Sequence, residues 1–526
     1  MGNWVEILAR HGAGLLFAVC LVEALGLPVP AAVALLTAGA LACYGGKVAK
    51  TPHMDRLARE GVVFESFYTN SPLCAPSRFS MMSGQLPSAI GAYDNAAEFA
   101  ADVPTFAHYL RAAGYQTVLS GKMHFCGPDQ LHGFEERLTT DIYPADYGWT
   151  PDWERFEQRL SWYHVMNSVT EAGPCTRTNQ VDFDDEVVYK ARQKLFDIAR
   201  GKDARPFLMV VSMTHPHDPY TIPTEYWDRY ANATIEPPKL PMRYEDLDPH
   251  SKRIHHVIGL GEKTPTPEQV LAARRAYYGS IAYVDDQIGA LLHTLKEARL
   301  DDNTIVIVTS DHGDMLGERG LWFKMTFFEG GCRIPFIVHA PTRFKAGRVA
   351  THASLVDLLP TLGEMAEGPQ FRPVVPIEGR SLLPALHGAA VRDEVIGEFM
   401  GEASIAPILM IRRGALKFIH CPVDPDQLYD LTSDPLEQVN LAADPAHAAT
   451  VAALRAEIAA RWDLKKIHAD VLASQRRRHF VYGALRRGRF TPWDHQPFQD
   501  ATKAYIRNDQ ELNDLEAMAR FPRLGA

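Results

Sequence analysis

The sequence predicts an α/β fold: a large, mostly parallel sheet sandwiched by helices, with a smaller C-terminal α/β lobe and an extended C-terminal tail. Three observations predict it. Short, almost wholly apolar runs recur along the chain, which is how strands covered on both faces read. Helical patterns separate them. The strongest runs from Pro267 to Ala298, where Tyr277, Ile281, Val284, Ile288, Leu291 and Leu295 step by three and four along one face. Finally, the polar residues suited to chemistry fall just past the carboxyl ends of the apolar runs, where open α/β sheets bind ligands.

At 526 residues the chain is long enough for one large and one small domain. The apolar and charged fractions, 46% and 22%, are those of an ordinary globular protein. A net charge of -10 argues against non-specific nucleic-acid binding. Seven scattered cysteines (20, 43, 74, 126, 175, 332 and 421) form no CxxC pair and no zinc spacing. An odd, sparse set fits a reducing compartment, so a cytoplasmic location is expected. Composition divides the chain into an apolar leader (1–44), a main domain (45–376), a smaller subdomain (377–461) and a tail (462–526).

The elements follow in order. Thr51 to Glu60 reads as a helix, with Pro52 in its first turn, Met54 and Leu57 on one face and Gly61 ending it. Val62 to Tyr68 is a strand feeding the turn Ser71-Pro-Leu-Cys-Ala-Pro-Ser-Arg78. Pro76 fixes its own φ and biases Ala75 away from helix. A helix starting just after, capped by Ser77, would leave Cys74 at a positive helix N-terminus. Arg78 would aim a guanidinium fork at the same spot. Asp102 to Ala113 is a helix. Gln116 to Ser120 is a strand delivering Lys122 and His124, and Phe207 to Ser212 delivers His215, His217 and Asp218. Thr304 to Thr309 delivers Asp311, His312 and Asp314, and Pro335 to His339 is a further strand. Ile408 to Ile419 looks like a hairpin turning at Gly414. The basic stretch at Arg476–Arg478 reads as a solvated helical face.

Taken singly, these residues allow plain structural roles. Cys74 with Arg78 fits a buried thiol beside a surface guanidinium, and Asp311-His312-Gly313-Asp314 fits a helix-capping turn as well as a divalent-cation loop. Their shared position at strand ends is what favours a site.

The string Cys74-x-Pro76-Ser77-Arg78, with Gly84 six residues on, resembles the sulfatase signature, in which the cysteine is oxidised to formylglycine. Gly121-Lys122-Met-His124, Thr214-His215-Pro-His217 and Lys324 after the Asp311 loop resemble that family's other elements. The resemblance implies an alkaline-phosphatase/sulfatase-like fold and catalytic roles for Cys74, Arg78, Lys122, His124, His215 and Lys324. One hydroxyl of the aldehyde hydrate would attack sulfur while Arg78, Lys122, Lys324 and the metal hold the sulfate. His215 and Lys324 would help the alcohol leave, and His124 would deprotonate the second hydroxyl. Metal ligands would be Cys74, Asp311 and His312, holding a divalent metal: calcium first, with manganese or magnesium as alternatives.

Longer strings resemble bacterial choline-sulfatases: Gly91-Ala-Tyr-Asp-Asn-Ala-Ala-Glu98, Asp141-Ile-Tyr-Pro-Ala-Asp146, Gly148-Trp-Thr-Pro-Asp-Trp153, Asp424-Pro-Asp-Gln-Leu-Tyr-Asp430 and Phe490-Thr-Pro-Trp-Asp-His-Gln-Pro497. They imply choline sulfate as substrate, bound by Asn95, Trp149, His164, Glu402 and Asp494. They also imply a formylglycine-generating or anaerobic sulfatase-maturing enzyme as partner, and a homotetramer in which the tail supplies Asp494 in trans.

The leader departs from this pattern. Gly14 to Ala42 is nearly all apolar, with Glu23 its only charge, and Pro28 and Pro30 break it into halves too short for a spanning helix of about 20 residues. Arg10-His-Gly-Ala, Leu27-Pro-Val-Pro30 and Ala38-Gly-Ala-Leu-Ala42 resemble the start of DedA membrane proteins, so membrane association is one expectation and a buried hairpin the other. The sulfatase resemblance implies, in place of the leader, an apolar central strand ending in a metal-binding aspartate. No aspartate precedes Asp55. The expectation is a sheet missing its central strand, a metal site one donor short and an impaired enzyme. The other classes considered are a phosphate-ester hydrolase of the same fold and a non-catalytic, membrane-tethered homologue.

Overall fold

The structure, a computed structural model, describes residues 40–143 and 145–488. The DedA-like segment up to residue 39 and Asp494 lie outside the described residues. The chain divides into two compact units, one through Tyr482 and one from Gly483.

Local rules account for most elements. Helix α1 (Pro52–Glu60) has proline at its first position, as expected. The strand read over Val62 to Tyr68 is two strands, β1 (Val62–Phe64) and β2 (Phe67–Tyr68). They belong to different sheets, because β2 pairs instead with Arg333–Ile334 and Ala353–Ser354. Helix α2 (Cys74–Ser83) begins at Cys74 itself, with Leu73 as N-cap and no side-chain cap. Ser77 is therefore inside the first turn rather than capping it, and its hydroxyl donates to the Asp311 carbonyl at 2.5 Å. Helix α3 (Phe106–Ala112) starts later than Asp102, because Thr105 and His108 form a reciprocal cap there. Strand β3 (Gln116–Gly121), helix α4 (Asn179–Arg200), strand β4 (Phe207–Ser212) and helix α5 (Pro267–Glu297) follow, α5 capped by Thr266 with Gln269. Strands β5 (Val306–Thr309), β6 (Phe336–His339) and β7 (Gly347–Val349) complete the main domain.

The central sheet comes in two pieces. One has the order β7-β1-β6-β5, with β1 parallel to β7 and antiparallel to β6, and Phe336 of β6 opposite Thr309 of β5. The other places β3 between Glu136–Arg137 and β4, parallel on both sides, with Gly121 opposite Ser212. Among the described residues β4 and β5 each have a single hydrogen-bonded neighbour. Their other edges line one shared cavity of about 1100 Å³, walled by Val210, Ile307, Ile288 and Leu291. Both strands are only half-buried, whereas β3 is buried throughout. The cavity runs along both of these edges. It lies where the sequence reading expects a central strand.

In the C-terminal part, β8 (Glu394–Phe399), β9 (Ile408–Arg413), β10 (Leu416–His420) and β11 (Gln427–Asp430) form an antiparallel meander. The hairpin turns at Gly414, whose φ of 53° suits glycine. Helix α6 (Ala448–Arg461) covers it through Val451, Leu454 and Ile458 against Leu409, Phe418 and Leu428. Helix α7 (Leu464–Leu485) follows. No helix among the described residues is long and apolar enough to cross a membrane. Their six cysteines are all unbridged.

Candidate active site

Three strand ends, those of β3, β4 and β5, converge on Cys74 at the start of α2. Its Sγ lies 3.2 Å from His312 Nε2, 3.8 Å from Lys122 Nζ and 4.0 Å from His217 Nε2. Lys324 Nζ stands 2.7 Å from the same His217 nitrogen. Left-handed backbone at Phe323 and Met325 on either side of Lys324 holds an uncommon conformation of the kind found at functional sites.

The electrostatics favour an anion at residue 74. Burial pushes the Cys74 thiol up, but the Lys122 and Lys324 ammoniums and His312 outweigh it and hold the thiol well below its ordinary range. Lys324 and His312 shift upwards in return. Burial works against both shifts, while the Cys74 charge, with Asp218 for Lys324 and Asp311 for His312, outweighs it. His217 is lowered to about 4, first by burial and then by Lys324 and Lys122, so it is neutral at pH 7 and accepts from Lys324.

The arrangement differs from the sequence reading in two roles. His215 Nδ1 is 2.7 Å from Asp184 Oδ2, and Asp184 also accepts the backbone N–H groups of Thr214 and His215. That ring is locked to a buried carboxylate; His217, two residues on, is the imidazole at the thiol. Arg78 is taken up by the strand ends: Nε donates to Asp311 Oδ2 at 2.8 Å, and Nη1 to the Lys122 carbonyl and the Ser212 hydroxyl. It ties β3, β4 and β5 together beneath Cys74.

The substrate-side residues also have definite places. The carbonyl oxygen of Asn95 accepts the Ala75 N–H, fixing the first turn of α2. His124 has φ 63° and meets Trp149 in a T-shaped contact at 5.4 Å; its buried ring nitrogens have no partner among the described residues besides the Cys74 thiol. Trp149 stacks on Trp162 at 6.1 Å, beside Tyr143. His164 stacks on Phe323 and lies 3.2 Å from Asp218 Oδ2, which links it to His217. Glu402 is buried, its Oε2 has no partner among the described residues, and burial raises its pKa to about 7. Asp94 raises it further, whereas Lys324 opposes the rise. Sequence reasoning named no role for His217, Asp218, Asp184, Tyr143 or Trp162. His217 and Asp218 sat in the quoted Thr214–Asp218 string, so only their roles went unread; Trp162 carried no local signal.

For a metal, Cys74, His217 and His312 offer ligand atoms within 4.8 Å of one another. Asp311 is adjacent, but one of its oxygens is held by Arg78 and the other accepts the His312 N–H. Calcium takes roughly six to eight oxygens. The described donors do not supply them, so these residues alone do not make a calcium site.

Comparison with known proteins shows the family. The family described as Sulfatase matches residues 35–368, and Choline sulfatase enzyme C terminal matches residues 469–521. The chain belongs to the sulfatase family and is a sulfuric ester hydrolase. It is 48% identical to a choline-sulfatase of Rhizobium meliloti over 483 residues, covering 90% of this chain and 94% of that one. It is 30% identical to an uncharacterized sulfatase of Escherichia coli, covering 76% and 80%. Among solved structures, a phosphonate monoester hydrolase of Agrobacterium radiobacter superposes with TM-score 0.64 at 22% identity, over 82% of this chain and 94% of that one, a likeness of fold. Sulfatases generally use a formylglycine and a divalent metal.

Proposed function

We propose that the protein hydrolyses choline-O-sulfate to choline and sulfate, with residue 74 acting as formylglycine. The observation that carries this is a site with two opposed poles. Lys122, Lys324 and His312 surround residue 74, where a sulfate would be held, and the buried Glu402 lies within electrostatic reach of Lys324 and residue 74. A trimethylammonium donates no hydrogen bond and is recognised by carboxylates and aromatic faces, which Glu402 and Trp149 offer. The 48% identity to a choline-sulfatase supports the same substrate.

As formylglycine, residue 74 supplies an oxygen nucleophile for attack on sulfur; Sγ marks its position here. Lys122 and Lys324 offset the sulfate charge before reaction begins. Lys324, donating to a neutral His217, is placed to protonate the departing alcohol oxygen, and His217 holds it there through Asp218. His124, whose buried ring nitrogens have no partner among the described residues besides residue 74, is placed to take a proton from it. A divalent metal bound by Asp311, His312 and residue 74 would add Lewis acidity.

The maturation enzyme as partner and a homotetramer completed by Asp494 belong to this reading, as does impaired turnover. What supports impairment is that, among the described residues, β4 and β5 each lack a second hydrogen-bonded neighbour and oxygen donors around residue 74 are few. Comparing kcat/KM for choline sulfate, 4-nitrophenyl sulfate and 4-nitrophenyl phosphate tests the proposal. Preference for choline sulfate supports it; preference for the phosphate overturns it.

A further inference from the structure

The fully buried side chains of helix α7 are Val471, Gln475 and Arg478, spaced by four and three on one face. That face meets three separate loops. Arg478 forms a bidentate pair with Asp94, Nη1 to Oδ1 at 2.6 Å and Nη2 to Oδ2 at 2.7 Å, and Nη1 also donates to the Thr150 hydroxyl at 3.3 Å. Gln475 Oε1 accepts the Trp153 N–H, and Val471 packs with Tyr93, Trp153 and Met400. Trp153 Nε1 in turn donates to the Gly401 carbonyl at 3.3 Å. Asp94, Thr150 and Gly401 are each chain neighbours of a proposed substrate residue: Asn95, Trp149 and Glu402.

We propose that Arg478 is a positioning residue for the ammonium end of the substrate. Its planar fork fixes the loop of Asn95 and the loop of Trp149 to one rigid group, and the same helix face seats the Glu402 loop. The Asp94–Arg478 pair is almost fully buried, Asp94 0% and Arg478 7% exposed at the side chain, so the spacing it sets is not relaxed by solvent. Among the described residues Arg478 hydrogen-bonds Asp94, Thr150 and Ser474 and none of the groups around Cys74, so its effect falls first on recognition of the substrate's alcohol part and reaches the start of α2 only through Asn95. The inference rests on the choline-sulfate reading.

The test is Arg478→Lys, which keeps the charge and loses the fork. kcat and KM are measured for choline sulfate and for 4-nitrophenyl sulfate, which lacks the ammonium. The selectivity ratio for choline sulfate over 4-nitrophenyl sulfate is expected to fall roughly tenfold, through KM for choline sulfate, as small misplacements of binding groups do. Should that variant not accumulate folded, Thr150→Val removes one arm of the same fork, and a smaller fall in the ratio is expected. A wild type that prefers choline sulfate while its variants keep the ratio overturns this inference alone. A wild type without that preference overturns the underlying reading and this inference with it.

Discussion

Lys324 Nζ lies 2.7 Å from His217 Nε2, and the same imidazole nitrogen lies 4.0 Å from Cys74 Sγ. In the proposed reaction the acid for the leaving alcohol is this lysine, held by a neutral histidine. Lys324→Ala is expected to lower kcat with choline sulfate by about a hundred- to ten-thousandfold, and His217→Ala by about a hundredfold. His215→Ala leaves the Asp184 carboxylate without its ring partner, so its main effect is on stability, about 1–3 kcal/mol in denaturant unfolding. Equal kinetic losses in His215 and His217 variants would show that the assignment is wrong.

Glu402 titrates near pH 7 because burial disfavours its charge. As pH falls through 7 the carboxylate is neutralised, and KM for choline sulfate should rise while KM for 4-nitrophenyl sulfate does not. Glu402→Gln should abolish that slope. For stability the sign is opposite: between the ordinary carboxylate range and pH 7 the folded protein keeps a proton the unfolded chain has lost. This group's contribution to stability therefore declines as pH rises across that window.

Among the described residues β4 and β5 each have one edge without a strand neighbour, which makes amide exchange a direct probe of the cavity. Amides of residues 207–212 and 306–309 that face it should exchange faster than those of 116–121, which are paired on both sides. Equal protection in all three strands would mean that the two edges are covered.

A site with as few oxygen donors as the described residues offer around residue 74 should hold its metal loosely. Dialysis against a chelator is expected to remove most activity, and millimolar divalent metal, on the order of that required by weak oxygen sites, to restore it. Full activity after exhaustive chelation would contradict this.

Much of the fold could be read from the chain because its strands are continuous apolar runs and its longest helix is strongly periodic. Phe207–Ser212 matched to the residue, and Pro267–Glu297 to within one. The split at Glu65 and Ser66 was not legible, since an apolar run does not reveal a change of sheet. Cys74, Lys122, Lys324 and His312 were identifiable as strand-end or motif residues. The exchange of roles between His215 and His217 was not, because both follow the same strand and only Asp184, from a distant helix, decides which ring is locked away. Arg478 read as surface charge, because its partner Asp94 lies 384 residues away.

The central claim is that residue 74 performs sulfate-ester hydrolysis on choline sulfate. The most direct measurement is choline and sulfate release by the purified full chain, produced with a sulfatase-maturing enzyme, beside Cys74→Ala. The account predicts stoichiometric release of both products by the parent protein, below the rate of the Rhizobium relative, and loss of about a thousandfold or more in the variant. Undiminished release by Cys74→Ala, or none by a parent protein that cleaves other sulfate esters, would contradict it.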